Sequence, residues 1–323
     1  ITRAIGSAIL FLIILIRELF LGGTQTIGAL FSDAMLSTNK WLYWPALPWT
    51  AVVAGAAILG YQLQGIRLAL LAGIGVGYLC VFGQWEPSLE TLSFVLVCAP
   101  ICFILGLGFG IWGYLNRTVE AALEPLLNCM QTLPHFSYLV PVMVLFGVGD
   151  HAGAVATIIF ATPPMIRLTI LGLRKISPDI VDSGLMSGCS KFQLLFRVLI
   201  PTARTDILIG VNQVIMQCLA MTTIAAFIGA RGLGFNLKVA LNSLEIGKAS
   251  EIGLCVVLIA VILDKYSLAW ANKQKDYFSD LNFFQRYWPY IGFILLTLLA
   301  ILLAYIGALY FKDGINYLYY VPF

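Results

Sequence analysis

Arg174-Lys175-Ile176-Ser177-Pro178-Asp179-Ile180-Val181-Asp182-Ser183-Gly184-Leu185-Met186-Ser187-Gly188-Cys189-Ser190-Lys191-Phe192-Gln193-Leu194-Leu195-Phe196-Arg197-Val198-Leu199-Ile200-Pro201 reads as two short helices joined at a sharp corner. Ser177 suits an N-cap, Pro178 the first helical position and Asp179 the positive helix start. The first helix is expected to stop near Ser187-Gly188, where glycine permits a left-handed cap. Ser190 with Gln193 has the spacing of a capping box. A second helix then places Phe192, Leu195, Phe196 and Leu199 on one face, at i, i+3, i+4 and i+7, and Pro201 ends it.

The surroundings of this stretch are apolar. Of 323 residues 60% are hydrophobic and 11% charged, with a mean hydropathy of +0.92. A soluble domain carries about a quarter charged residues, so a water-soluble surface cannot be covered. This excludes an ordinary cytosolic enzyme, a disulfide-stapled module and a disordered chain, and leaves a polytopic membrane protein. A net charge of +3 with no dense basic stripe gives no nucleic-acid signal. The seven cysteines form no CxxC pair and read as small buried hydrophobes. With only His135 and His151, no metal site is expected. The chain starts at Ile1 and stops at Phe323, and truncation at both ends is expected.

A bilayer core takes about 20 apolar residues per helix. Candidate spans fall at 4–21, 49–63, 67–84, 89–115, 133–149, 152–172, 206–230, 250–271 and 289–311. The pairs 49–63 with 67–84 and 133–149 with 152–172 are short and closely coupled, so one of them is a candidate for a tilted or re-entrant element. With the 173–205 loop on the cytoplasmic side, thirteen Lys and Arg lie inside, among them Arg3, Arg117, Arg167, Arg174 and Arg197. Six lie outside, at Arg17, Lys40, Arg231, Lys238, Lys248 and Lys312. Trp41, Trp44, Trp49, Trp85 and Trp288 fall at span ends, as interface anchors do. Gly73/Gly77 and Gly106/Gly110 have the spacing that lets helices approach closely. Pro100, Pro141 and Pro163-Pro164 lie at membrane depth, where they kink helices in moving and static bundles alike.

The polar stretch resembles the EAA loop of ABC-importer permeases, whose pattern is roughly E-A-A, three residues, G, nine residues, I-x-L-P. Asp182-Ser183-Gly184 stands for the E-A-A, Gly188 for the glycine and Val198-Leu199-Ile200-Pro201 for the end. The departures are Glu to Asp at 182, Ala to Ser at 183, Ala to Gly at 184 and Leu to Ile at 200. Leu126 to Pro134, Tyr138 to Pro141, Phe146 to Gly149, Thr157 to Ala161, Pro163 to Gly172, Gly210 to Gln213, Gly232 to Gly234 and Ile262 to Asp264 are similar to the permease of glycine betaine/proline ABC importers. The resemblance covers about 90–272.

The resemblance implies an all-α transmembrane bundle, a type I (MetI-like) ABC-importer permease in a bacterial inner membrane. The core is 89–272 with a coupling loop at 173–204. Extra transmembrane helices lie at 1–88 and, with the chain expected to run on, at 273–323. It further implies two ATPase subunits that bind ATP and Mg, an extracytoplasmic binding protein, a second permease copy or half, and a lipid environment. Asp182, Ser183, Gly184, Gly188, Phe192, Phe196 and Pro201 become the ATPase-coupling residues. The chain itself carries no P-loop: Gly247-Lys248 lacks the following Ser/Thr and the upstream glycine. It has no GxSxG and no HExxH, so no cofactor and no catalytic role are assigned to it.

Polar residues at membrane depth are costly and are candidates for a substrate path. These are Gln131, Thr132 and Tyr138 near the fifth span and Asn212, Gln213 and Gln217 in the seventh. Each has a plainer reading as interhelical glue. Tyr138 and Phe136 offer aromatic faces for a quaternary ammonium. Gly232, Leu233 and Gly234 open the stretch 231–249, an amphipathic segment that is either an outer docking element or an ordinary loop. The leading expectation is a permease for glycine betaine/proline-like osmolytes, with trimethylamine N-oxide among the open substrates. An ion-coupled secondary transporter is the alternative, and it requires a usable intramembrane carboxylate; Asp206 and Asp264 lie near inner ends. An osmotically gated channel is a third reading, and a membrane enzyme the least supported.

Overall fold

The computed structural model describes residues 2–21 and 49–272, and every element in them is helical. In chain order these are α1 (Thr2–Leu21), α2 (Trp49–Gln64), α3 (Ile66–Val81), α4 (Trp85–Leu115), α5 (Arg117–Thr132), α6 (Phe136–Phe146), α7 (Asp150–Arg174) and α8 (Pro178–Met186). After them come α9 (191–202), α10 (Arg204–Ala225), α11 (Leu233–Asn242) and α12 (Ile246–Asn272). The candidate span 289–311 and the C-terminal region 273–323 lie outside the described residues.

Among the described residues, four helices are long and apolar enough to cross a membrane: α4, α7, α10 with its terminal turn to Ile228, and α12. Their apolar runs are the expected spans 89–115, 152–172, 206–230 and 250–271. α7 is the axis of the bundle, and the helix most enclosed by its neighbours. α4 reaches it through Gly106 and Gly110: a Cβ at Gly106 would overlap Met165, and one at Gly110 would come 2.5 Å from Thr169 Cβ. Close backbone approach is what small residues provide where lipid supplies no hydrophobic drive between helices. Gly210 of α10 meets Met165 from another side, where an added Cβ would stand 2.8 Å from its sulfur. Hydroxyls on α7 are turned back onto its own carbonyls, Thr157 onto Gly153 at 2.8 Å and Thr162 onto Ile158 at 2.6 Å. This satisfies buried donors in a helix that also holds Pro163 and Pro164.

The Gly73/Gly77 pair does not act as Gly106/Gly110 does, since nothing lies within 4 Å of a Cβ at Gly77. The close approaches of α2 and α3 use other glycines: Gly60 against the Leu68 carbonyl at 2.8 Å, and Gly75 against Ile262 of α12 at 2.7 Å. Each helix has 16 residues, about 24 Å of rise against a core of about 30 Å. They are joined at Gly65, whose φ of +84° only glycine adopts freely.

The expected span 4–21 is corrected, and 133–149, one of the segments expected as a candidate for a tilted or re-entrant element, is bent. The segment 133–149 is not one crossing helix. α6 has 11 residues, about 16 Å of rise, and meets α5 at a bend of 102°. The bend falls at Leu133-Pro134, and the hydroxyl of Tyr138 closes it by donating to the Met130 carbonyl. The segment 4–21 is a helix, but it does not run along the bundle. Gly6 packs on His151 at the start of α7, and Arg17 pairs with Glu90 near the start of α4 at 3.4 Å. The starts of α4 and α7 are level, as Phe94 sits against Gly153. Both parts of α1 therefore meet the same end of the bundle, the end away from α8 and α9. Ile9 and Ile13 anchor it in the core.

Candidate functional site

The α8–α9 pair forms a helical hairpin beyond the end of α7. Ser177 holds the N-cap position with extended backbone, and Pro178 opens the helix, but the Ser177 side chain makes no capping hydrogen bond. The corner is built as expected. Gly188 has φ +76°; its N–H donates to Leu185 O at 3.0 Å, and Cys189 N–H donates to Gly184 O at 3.3 Å. These two bonds satisfy carbonyls that a helix end otherwise leaves open. Ser190 and Gln193 close the capping box, with backbone-to-side-chain bonds of 3.3 and 2.9 Å.

The second arm departs from expectation. Only Lys191–Gln193 and Ile200–Thr202 are α-helical, and Leu194–Leu199 is a π-helix. The wider π turn rotates less per residue, so the four apolar side chains do not share a face. Leu195 and Leu199 are buried, while Phe192 and Phe196 are 70% and 47% exposed. The two phenyl rings stack with centroids 4.4 Å apart. The arm stops at Thr202, one residue past Pro201. Pro201 sits in the last α-helical turn, Ile200–Thr202, after which Ala203 leads into α10.

Gly184 stands where the EAA pattern has alanine. It is buried where the arms cross, and a Cβ there would lie 2.6 Å from Leu194 Cδ1. Asp182 and Ser183 lie on the exposed side of α8, and Asp182 has no hydrogen bond or ion pair among the described residues. The hairpin thus offers a projecting surface with two paired aromatic rings, Met186 at 91% exposure and a free carboxylate. Such a surface fits a groove on a protein partner. Behind it, Lys175 pairs with Asp206 at 3.4 Å and Arg174 pairs with Glu120, tying the roots of α7, α10 and α5.

The candidate path residues do not converge. Asn212 clasps α10 to α12: its Nδ2 donates to Asp264 Oδ1 at 3.0 Å, and its Oδ1 accepts from Ser267 Oγ. With Asp206 held by Lys175 as well, neither carboxylate considered for an ion-coupled transporter stands free. Tyr138 is buried, its ring edge-on to Phe160 at 5.7 Å. Gln213 is exposed, and Gln217 carries a buried Oε1 without a partner. Gln131 and Thr132 are exposed at the end of α5 beside the elbow, where the Thr132 hydroxyl turns back to Cys129 O at 3.0 Å. Phe136 is exposed and sits edge-on to Phe227 at 5.4 Å, with Lys238 Nζ 5.3 Å from that second ring.

Gly232, Leu233 and Gly234 are corrected as a docking surface, because all three are buried. Leu233 N–H donates to Thr91 Oγ1 at 3.0 Å, and a Cβ at Gly234 would stand 2.8 Å from the Thr223 backbone. They fasten α11 across α4 and α10. Phe235, Val239 and Leu241 are exposed on α11, and Leu244 and Ile246 are exposed where the chain turns into α12, beside exposed Asn242, Ser243 and Glu245. Two further ties hold this end, Arg231 N–H to Asp150 Oδ1 at 2.8 Å and Gly149 N–H to Ile228 O at 3.0 Å. Neither Thr91 nor Asp150 is visible as functional in the sequence, because each meets its partner across a long chain separation. Among the described residues no three His, Cys, Asp or Glu side chains come together as a metal site requires.

Residues 102–317 match the family described as binding-protein-dependent transport system inner membrane component. The trimethylamine N-oxide transport system permease protein TmoV of Pelagibacter ubique is 56% identical over 322 residues, covering all of this chain and 45% of the relative. TmoV of Ruegeria pomeroyi is 44% identical over 264 residues, 82% of this chain and 40% of the relative. The glycine betaine/proline betaine permease ProW of Escherichia coli is 38% identical over 225 residues, 69% of this chain and 63% of the relative. The chain spans less than half the length of the two TmoV relatives. Among solved structures, an inward-facing form of the MetNI methionine ABC transporter matches with TM-score 0.52 at 19% identity, over 59% of this chain and 97% of the other. That likeness concerns the fold.

Proposed function

The chain belongs to the family of binding-protein-dependent transport system inner membrane components, and from that premise we propose that it is the permease of an ATP-driven importer for small methylated zwitterions, trimethylamine N-oxide first among them. The single observation that carries the substrate is the 56% identity to a trimethylamine N-oxide permease along the whole chain. Glycine betaine, the first expectation from the sequence, is supported at 38% over two thirds of it. The two compounds share a methylated cationic nitrogen and an anionic oxygen, so one path chemistry accommodates both.

The division of labour follows from the hairpin. Phe192, Phe196, Met186 and Asp182 meet a separate ATPase subunit, and the rigid corner at Gly188 passes its movement to α7 and α10. A binding protein delivers substrate at the opposite end, and a second permease copy or half completes the path. ATP hydrolysis belongs to the partner subunits.

The test is uptake of labelled trimethylamine N-oxide into proteoliposomes holding the full complex, with and without internal ATP. ATP-dependent uptake that needs the binding protein is the expected result. Uptake that ignores ATP and follows an imposed ion gradient overturns the reading. ATP-dependent uptake of glycine betaine alone keeps the importer and overturns the substrate.

A further inference from the structure

α5 and α7 are joined by two rungs. Near the hairpin, Arg174 donates to the Glu120 carboxylate. Seven residues earlier on α7 and eight later on α5, Arg167 donates to the Asn128 side-chain oxygen. Two helical turns separate the rungs on both helices, about 10 to 12 Å. The upper rung therefore lies well inside the membrane-crossing helix α7, not at its end, although the sequence counts Arg167 among the loop-side basic residues.

The rungs differ in charge. Glu120 neutralises Arg174, whereas the Asn128 amide is neutral and leaves Arg167 a full cation. Among the described residues Arg167 makes no ion pair with a carboxylate. An unneutralised guanidinium at that depth is costly unless it serves water or an anion. Asn128 is exposed, and Gln131 follows it three residues on, also exposed, leading to the α5–α6 elbow. One N–H of the guanidinium goes to Asn128, and the rest of its planar fork remains for a ligand.

We propose that Arg167 is the oxyanion subsite of the transport path: its guanidinium, steered by Asn128, holds the anionic oxygen of the methylated zwitterion as it passes along the exposed side of the α5–α7 pair, whose facing surfaces are closed by Leu127, Ile166 and Ile170. This rests on the function proposed above and adds the residue that reads the substrate's anionic group. Asn128 is the positioning residue. An amide suits that role because a carboxylate at the same place would occupy the cation permanently.

Asn128→Asp tests this directly. It keeps and strengthens the clasp between the helices but neutralises Arg167. The expected result is a loss of trimethylamine N-oxide uptake of about tenfold or more, the scale of one charge-assisted hydrogen bond. Arg167→Gln should lose as much and Arg167→Lys less, with complex assembly and binding-protein-stimulated ATPase retained. Wild-type uptake in Asn128→Asp makes the pair a structural clasp and overturns the proposal.

A second measurement does not depend on uptake. Modification of Arg167 by phenylglyoxal in the detergent-solubilised complex, read by mass spectrometry, should be slowed by millimolar trimethylamine N-oxide or glycine betaine and not by tetramethylammonium chloride. Equal slowing by all three, or by none, overturns the subsite. Slowing only by added phosphatidylglycerol makes Arg167 a lipid-headgroup anchor and overturns it as well. If the wild type carries no methylated zwitterion, the transport reading fails by itself, and oxyanion-selective slowing still supports the subsite.

Discussion

Gly184 and Leu194 face each other where the two arms of the hairpin cross, so closely that a Cβ on the glycine would come within 2.6 Å of Leu194 Cδ1. The atom in the way is the tip of a side chain that has room to swing. Gly184→Ala should therefore be tolerated, with a shift in stability within about 1 kcal/mol and coupled ATPase activity retained. Gly184→Val adds two methyl groups against Leu194 and Val198, and should cost about 1–3 kcal/mol of packing. Its signature is a lower melting temperature together with ATPase activity that no longer responds to substrate. A valine variant with full coupling would show that the crossing is not held as tightly as this.

Gly188 is a different case, since nothing lies within 4 Å of an added Cβ and the demand comes from the backbone alone, at φ +76°. Gly188→Ala should cost about 1–2 kcal/mol through the left-handed conformation. Gly188→Asn should cost less, because asparagine visits that region more readily. Gly188→Pro cannot adopt it at all. ATP-driven uptake should fall in the order Gly, Asn, Ala, Pro, with permease abundance in the membrane little changed for the first three. A flat series would mean that the corner bends without consequence for transport.

Asn212 bridges Asp264 and Ser267, and its removal should loosen α10 from α12. Asn212→Ala forfeits interhelical bonds worth about 0.6 kcal/mol each, at most about 1.7. Asn212→Asp turns the clasp into two facing carboxylates and should be the more damaging of the two. The expected readout is earlier thermal unfolding of the purified complex, Asp before Ala before wild type. Asn212→Asp that is as stable as wild type but selectively poor in uptake would return Asn212 to the substrate path.

The hairpin was legible because its rules are local: the Ser190–Gln193 box, the Gly188 corner and Pro178 at N1 each lie within a few residues of what they control. The π stretch at Leu194–Leu199 was not, since an apolar i, i+3, i+4, i+7 pattern assumes an α-helical turn, and burial of Leu195 and Leu199 selected another one. Hydropathy likewise marked 133–149 as apolar but could not show that Pro134 and the Tyr138 bond to Met130 break it into an elbow. The course of α1 depends on Gly6 against His151 and Arg17 against Glu90, contacts with no trace in periodicity. The sequence marks polar side chains at depth one by one and carries no sign of how they are brought together. Asn212 looked the same in sequence whether it faced a path or a neighbouring helix, and Arg167 was hidden by its nearness to the basic loop.

The glycines at the far end separate fold from docking. A Cβ at Gly234 would stand 2.8 Å from both Cα and O of Thr223, backbone atoms that cannot step aside. Gly234→Ala should therefore shift α11 and destabilise the whole end of the bundle. Thr91→Val removes the acceptor of the buried Leu233 N–H, at a cost of about 1–3 kcal/mol, while Thr91→Ser keeps it. Leu244, 82% exposed in the turn after α11, should behave in the opposite way. Leu244→Asp should leave the melting temperature of the complex unchanged and weaken stimulation of ATPase by the binding protein, raising the concentration needed for half-maximal effect. If Leu244→Asp melts early, that edge is packed in the assembled importer. If stimulation is untouched, the binding protein lands elsewhere on this end.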